Sequence, residues 1–218
     1  MKIRISLLAN NEELSIKALD LIKHLGYPVS LESNTDYSFN AQWNRCFFYK
    51  DDFVIGMDED CFITNPDALQ GICEYMQQYQ IGLMAMKELS GVAKHRLTVK
   101  NANDKDYNSF FMITQPAILK PYVKPASAIK NMYIGSEWLE PYWPIFRYLD
   151  DCWVNNKEFK GYTHEDGIST ILTFDDKPFC VHSWFARCYN YAKPDEYGID
   201  QRKRIDSIYK EVLNGSFK

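Results

Sequence analysis

The stretch that decides the fold is Phe53-Val-Ile-Gly-Met-Asp-Glu-Asp-Cys-Phe-Ile63. Its first five residues are all nonpolar, which predicts a strand buried on both faces, as in the middle of a parallel sheet. Asp58 and Asp60 follow at the carboxyl end of that strand. Residues two apart on an extended chain point to the same side, and two carboxylates held close together repel unless a cation or hydrogen-bond donors compensate. Because hard oxygen ligands suit Mg²⁺ or Mn²⁺, the stretch predicts a divalent metal site that also holds phosphate oxygens.

The residues before this strand alternate between strand and helix patterns. Residues 3–9 form a β-rich run, and the helix that follows is predicted to begin after Asn10 or Asn11 and to end at Gly26. A short strand is predicted at 29–31 and a second helix at 39–49. A β-α-β-α-β series implies an α/β fold with a parallel sheet, whose ligands bind beyond the carboxyl ends of the strands. Three loops are therefore expected to converge there, at 9–12, 32–36 and 58–64.

The rest of the chain continues the α/β pattern. Asn65 and Pro66 signal a helix start, and a polar stretch from Lys87 to Asp106 is predicted to be a long functional loop or lid. Further predicted elements are strands at 81–86, 109–113 and 179–182 and helices at 136–155 and 202–213. We find no linker, so we predict one domain over 1–218.

Composition narrows the functional classes. A net charge of −4 argues against broad nonspecific nucleic-acid binding. The six cysteines show no zinc-type spacing, so neither a disulfide framework nor a structural zinc site is expected. No apolar stretch approaches the ~20 residues of a membrane span, and we expect a cytoplasmic protein. The basic start of the last helix, Arg202-Lys203-Arg204, is a weak membrane-docking signal.

These motifs, taken in order, resemble the GT-A glycosyltransferases, especially the family 2 type. Leu7-Leu8-Ala9-Asn10-Asn11 is similar to the first loop of that family, and Glu32-Ser33-Asn34-Thr35-Asp36 to the second. Trp43-Asn44-Arg45 occupies the place of the helix element, and Asp58-Glu59-Asp60 that of the Asp-x-Asp motif. The resemblance implies a three-layer fold with a mostly parallel central sheet. Its Rossmann-like, nucleotide-binding half would span 1–86, and its acceptor-binding half with the C-terminal helix 87–218.

Two later segments extend the resemblance to about residue 190. His164-Glu165-Asp166-Gly167, followed by an apolar run from Ile168 to Leu172 that we predict to be helical, resembles the family's Glu-Asp motif. Val181-His182-Ser183-Trp184 resembles its late, His-bearing strand. The second loop is shorter than usual, and the helix motif of processive members is absent, which argues against polymer synthesis.

The resemblance implies a transfer of sugar from a nucleotide-sugar donor, with UDP the expected nucleotide and Mn²⁺ or Mg²⁺ the cofactor. Asp60 and His182 would bind the metal, and Asp58 the ribose or the metal through water. Asp166 would be the base, with Glu165 the next candidate, and the reaction would invert the anomeric configuration. The remaining expected donor contacts are Ala9, Asn10, Asn11, Glu32, Asp36, Asn44, Glu59 and Arg187.

Several alternatives stay open at this point. Asp166 could cap the next helix instead of acting as a base, and His182 could be a structural histidine. A sugar nucleotidyltransferase also uses paired carboxylates and a metal, although the first loop lacks the glycines and basic residue typical of that class. A non-catalytic binding domain is the third possibility. The acceptor could be a glycan, a lipid-linked sugar, a protein or a modified nucleic-acid base.

Overall fold

The structure, a computed structural model, describes residues 1–32, 39–87, 106–133, 142–191, 193–195 and 198–216. Its main sheet has six strands in the order β2-β1-β3-β6-β5-β7. All neighbours are parallel except around β6, which is antiparallel to both β3 and β5. These strands are β1 (Ile3–Leu8), β2 (Val29–Glu32), β3 (Phe53–Asp58), β5 (Leu83–Lys87), β6 (Tyr107–Thr114) and β7 (Asn156–Glu158). The predicted α/β fold with a mostly parallel central sheet is confirmed.

A second, antiparallel sheet of four strands packs beside the first, in the order β4-β10-β9-β8. Its strands are β4 (Cys61–Ile63), β8 (Lys160–Thr163), β9 (Thr170–Phe174) and β10 (Lys177–His182). Two predictions were wrong here. The loop at 58–64 contains β4, and the helix predicted after Gly167 is β9. A short apolar run fits a buried strand as well as a helix, and its pairing with β8 and β10 decides between them.

The helices are α1 (Glu12–Ile22), α2 (Phe39–Trp43), α3 (Asp67–Gln78), α4 (Pro116–Leu119), α5 (Ala126–Met132), α6 (Trp143–Asp151) and α7 (Gln201–Leu213). A π-helical turn, Asn44–Phe48, continues α2. The helix predicted at 136–155 ends earlier, at Asp151, and α3 begins at Asp67 without a side-chain cap from Asn65. None of the helices within the described ranges has the length and apolar character that a membrane crossing requires.

The largest core cluster joins the two sheets. It contains Ile5 and Ile55 of the main sheet, Leu172 and Val181 of the second sheet, and Ile208 of α7. Each of these side chains is at most 1% exposed. Since α7 and β10 pack on the same core as β1 and β3, residues near 60, 180 and 200 are held at fixed positions relative to one another.

Candidate functional site

Three predicted ligand-binding segments meet at the carboxyl edge of the main sheet. Leu8, the last residue of β1, lies in register with Glu32 of β2 on one side and with Asp58 of β3 on the other. Neighbouring strands stand about 4.8 Å apart, so the Cα atoms of Glu32 and Asp58 are about 10 Å from each other. Ala9 continues the pairing, with its N–H donating to the Glu32 carbonyl at 3.0 Å.

The loop after β1 is tied to the loop after β3. The backbone N–H of Asn10 donates to Glu59 Oε2 at 2.5 Å, and Asn11 caps α1 by accepting from the N–H of Leu14 at 3.2 Å. Glu59 is only 4% exposed, and burial raises its pKa to about 7, against the lowering effect of the Asn10 hydrogen bond. Glu59 therefore orders the first loop from within the protein, and its charge is sensitive to pH near neutrality.

Glu32 lies in a polar cluster at the end of β2. Its carboxylate accepts from the Ser6 hydroxyl at 3.3 Å, from the Tyr49 hydroxyl and, at 3.5 Å, from the Asn44 amide. Both Asn44 and Glu32 were predicted to contact the donor, and the structure places them together. Asp36, the other acid predicted there, lies outside the described residues.

Beneath this edge lies Arg45, to which the sequence analysis assigned no role. It is completely buried and donates to Ser6 Oγ at 3.1 Å, to Gln42 Oε1 at 3.1 Å, and to the carbonyls of Ser6 and Met57 at 3.0 and 3.2 Å. Burial lowers its pKa, while the charge of Asp58 opposes that shift. Gly56 makes room for it, because a Cβ there would lie 2.5 Å from Arg45 Cδ. A glycine inside an otherwise apolar strand is the sequence signal for such a close approach.

The two residues predicted to bind the metal directly, Asp60 and His182, lie where the two sheets meet. Asp60 and His182 are 122 positions apart in sequence, yet His182 Nε2 lies 3.1 Å from Asp60 Oδ1. Burial tends to raise the pKa of Asp60, but the His182 charge and hydrogen bond outweigh it, so the pKa is lowered. The imidazole stacks on Phe110 with the ring centroids 4.2 Å apart, and Trp184 packs on it at 3.8 Å.

Cys61 is the third member of this cluster, and its role was missed by the sequence analysis. Within the described part of the chain, the ligand atoms of Asp60, Cys61 and His182 all lie within 4.8 Å of one another. Asp58 does not belong to that group. It sits half-buried at the end of β3, and its contact with a metal or ribose stays a prediction.

The predicted catalytic loop is held by Arg204 of α7. Asp166 Oδ1 accepts from the N–H groups of Ile168 and Ser169 at 2.9 and 2.7 Å, and Oδ2 accepts from Arg204 Nη1 at 2.9 Å. Together with a hydrogen bond from the Ser169 hydroxyl at 2.7 Å, these contacts outweigh burial and lower the pKa of Asp166 to about 2. Asp166 thus closes the turn before β9; no helix follows it to be capped, and its catalytic role stays a prediction. Glu165 beside it is exposed.

Arg204 also connects this loop to the strand that carries His182. Its Nη2 donates to the carbonyls of Ser183 and Trp184, at 2.5 and 3.0 Å, and the Ser183 N–H donates to the Asp60 carbonyl at 3.0 Å. Arg204 therefore lies on the inward side of α7, with its side chain only 10% exposed. Its position four residues before Ile208, on the apolar stripe of the helix, is the signal that could have identified it.

The backbone after Ser183 is unusual. Trp184 and Phe185 both have left-handed backbone angles, with φ of 59° and 65°, a conformation that bulky residues rarely adopt. The chain then enters a 3₁₀ turn, Ala186–Cys188. The backbone N–H of Ala186 is hydrogen-bonded to Asp60. Arg187, the predicted diphosphate contact, is exposed on this turn and 6.0 Å from the Phe185 ring centroid. Strain of this kind is common at functional sites.

Comparison with known proteins gives weak likenesses only. No protein-family profile matches the chain, and no curated protein sequence matches it. Among solved structures, A197 from STIV is 8% identical with a TM-score of 0.45, over 80% of this chain and 87% of that one. A 4-diphosphocytidyl-2C-methyl-D-erythritol synthase from Anaerococcus prevotii is 9% identical with a TM-score of 0.45, over 97% and 98% of the chains. The glycosyltransferase GlyE of Streptococcus pneumoniae is 10% identical with a TM-score of 0.39, over 72% and 45%. At these values the likenesses carry no functional argument, which must come from the site.

Proposed function

We propose that this protein is a metal-dependent glycosyltransferase that uses a nucleotide-sugar donor. The observation that carries the proposal is the pairing of Asp60 with His182 beside the carboxyl ends of β1, β2 and β3. Open α/β sheets bind ligands at this edge. Glu32, Asp58 and Asp60 all lie at or just after strand ends on this edge, and a nucleotide, its ribose and a metal-bound diphosphate would bind there.

The residues at this edge fit a divalent ion. Two ligands placed about 2.1 Å from one octahedral ion stand about 3 Å apart, which is the separation of Asp60 Oδ1 and His182 Nε2. Asp60 and His182 would hold the ion, and Asp58 would bind the ribose or a metal-bound water. When bound, Mn²⁺ or Mg²⁺ supplies positive charge that stabilises the departing diphosphate.

The protein's own groups would position the donor. Glu32 and Asn44 at the end of β2 have carboxylate and amide groups suited to a nucleoside, and Glu59 holds the Asn10 loop against that region. Exposed Arg187 can contact a diphosphate, because a guanidinium matches phosphate oxygens in bidentate geometry. Arg204, through the carbonyls of Ser183 and Trp184, fixes the segment between His182 and Arg187.

We keep Asp166 and Glu165 as the two candidates for the acceptor base in an inverting reaction. A base works best with a pKa near the working pH, and the four hydrogen bonds that lower the pKa of Asp166 to about 2 weaken it for that task. Glu165 is exposed and lines a cavity of about 390 Å³ between this loop and α7, so its carboxylate is the more accessible of the two. The acceptor stays open among a glycan, a lipid-linked sugar, a protein and a modified nucleic-acid base.

Titration calorimetry of UDP with Mn²⁺ tests the proposal. We expect metal-dependent binding in the native chain and none in Asp60→Asn, while Asp67→Asn, at the start of α3, binds normally. At a UDP concentration of 100 Kd, binding should add about 2.7 kcal/mol, a rise in Tm of about 5–11 °C. Unchanged metal-dependent affinity in folded Asp60→Asn would contradict the proposal.

A panel of nucleotide sugars then separates the reaction types. A glycosyltransferase should slowly hydrolyse its donor in the absence of an acceptor. A sugar nucleotidyltransferase should instead form pyrophosphate from a nucleoside triphosphate and a sugar 1-phosphate. Release of pyrophosphate without any donor hydrolysis would assign the chain to that second class, and binding without either reaction would make it a binding domain.

A further inference from the structure

The metal cluster contains a sulfur donor. Cys61 Sγ, a carboxylate oxygen of Asp60 and a ring nitrogen of His182 lie within 4.8 Å of one another, and the three residues are 0%, 2% and 3% exposed. They bring together one thiol, one carboxylate and one imidazole at positions largely shielded from solvent. The thiol favours a softer cation than Mg²⁺, which prefers oxygen donors.

Strand register explains why these side chains converge. Cys61 of β4 lies directly opposite His182 of β10 in an antiparallel pair. Directly opposed residues project from the same face of a sheet, with Cβ atoms about 5 Å apart. Both are directed at Phe110 of β6, since the Cys61 thiol donates to the Phe110 carbonyl at 3.2 Å and the His182 ring stacks on the Phe110 ring.

Aromatic side chains hold His182 of this cluster in place. Phe110 and Trp184 cover the imidazole, and Trp184 is itself fixed by its indole N–H, which donates to Thr170 Oγ1 at 2.8 Å. Packing of this kind keeps ligand side chains in place before an ion binds. A thiolate and a carboxylate together also balance the charge of a divalent cation, which lowers the cost of burying it.

We propose that Asp60, Cys61 and His182 form a site for a thiophilic divalent cation, Zn²⁺. Nitrogen, oxygen and sulfur donors suit zinc, and three protein ligands with one open position are typical of catalytic zinc. The inference rests on the proposed function, which supplies the fourth ligand as a diphosphate oxygen or a water. Cysteine spacing gives no sign of this cluster, because its ligands come from segments that are distant in sequence.

The experiment uses Co²⁺ as the spectroscopic probe on protein treated with EDTA. We expect the visible bands of a tetrahedral ion together with a near-ultraviolet sulfur-to-cobalt charge-transfer band, and displacement of both by Zn²⁺. Cys61→Ser should remove the charge-transfer band and weaken Co²⁺ binding at least about tenfold, as loss of a metal-supporting group does. Cys73→Ser, a control at a buried cysteine of α3, should leave both unchanged.

X-ray absorption of the zinc-loaded native chain avoids any variant that fails to fold, and it should show sulfur at about 2.3 Å from zinc. A spectrum with only nitrogen and oxygen neighbours, or the absence of cobalt binding, would overturn the inference. The two proposals fail separately. A metal bound without sulfur, together with metal-dependent UDP binding, overturns the zinc site and leaves the transferase standing. A sulfur-ligated metal without UDP binding overturns the proposed transferase and leaves the zinc site standing.

Discussion

Replacing Glu59 with glutamine should change the pH dependence of stability. Glu59 is 4% exposed, and burial raises its pKa from 4.5 to about 7. The amide of glutamine keeps an oxygen that accepts from the Asn10 N–H but carries no charge. The substitution therefore isolates the cost of ionising this carboxyl inside the fold.

The sign and size follow from proton linkage. Between pH 4.5 and about 7 the folded state holds a proton on Glu59 that the unfolded state has lost, so the native chain loses stability as pH rises across that window. At 1.36 kcal/mol per pKa unit, the loss reaches up to about 3 kcal/mol at pH 8. Glu59→Gln should match the native chain at pH 4.5 and exceed its free energy of unfolding by up to about 3 kcal/mol at pH 8.

Urea unfolding followed by circular dichroism, with EDTA present, measures this difference from pH 4.5 to 8. The matched control is Glu12→Gln, at an exposed position of the first turn of α1, for which we expect a small and pH-independent difference. An equal free-energy difference between Glu59→Gln and the native chain at pH 4.5 and at pH 8 would refute the reasoning.

Three further predictions concern the supporting residues. Arg204→Met removes one of the four hydrogen bonds to Asp166 and the side-chain donor of two carbonyls, so we expect a loss of about 3–5 kcal/mol and a Tm lower by about 6–20 °C in calorimetry. Arg202→Met, at an exposed position, should change little. Gly56→Ala should lower the free energy of unfolding by about 1–3 kcal/mol in urea, because the new Cβ would overlap the hydrogen-bonded side chain of Arg45. Gly71→Ala, with no atom within 4 Å of its Cβ, should stabilise α3, and equal effects at both sites would contradict this. If Glu165 is the base, Glu165→Gln should lower turnover about a hundredfold or more. Asp166→Asn should mainly lower stability above pH 4, an effect that fades as pH falls through about 2, and the opposite division of effects would return the base to Asp166.

The local pattern of the sequence determined the elements that form by themselves. The apolar run from Phe53, the alternation of strand and helix around it, and the apolar stripe of α7 each follow from burial and periodicity over a few residues. The same pattern placed Asp58 at the carboxyl end of a central strand, beside Glu32 and the Asn10 loop, because parallel strands share that edge. The strand β3, the helix α7 and the position of Glu32 and Asp58 at one edge of the sheet were therefore predicted correctly.

Only the tertiary structure decided what pairs across the chain. The apolar run after Gly167 is a strand because it pairs with β10. Cys61 lies beside Asp60 and His182 because the pairing of β4 with β10 places Cys61 opposite His182. Arginine side chains are seldom found away from solvent, yet Arg45 is fully buried and Arg204 is largely covered. Carbonyls and side chains from other segments accept hydrogen bonds from both guanidinium groups, which allows this burial. The contact of Cys61 with His182 depends on the register of strands more than a hundred residues apart, and the arginine contacts depend on how separate elements pack, which no local pattern of residues encodes.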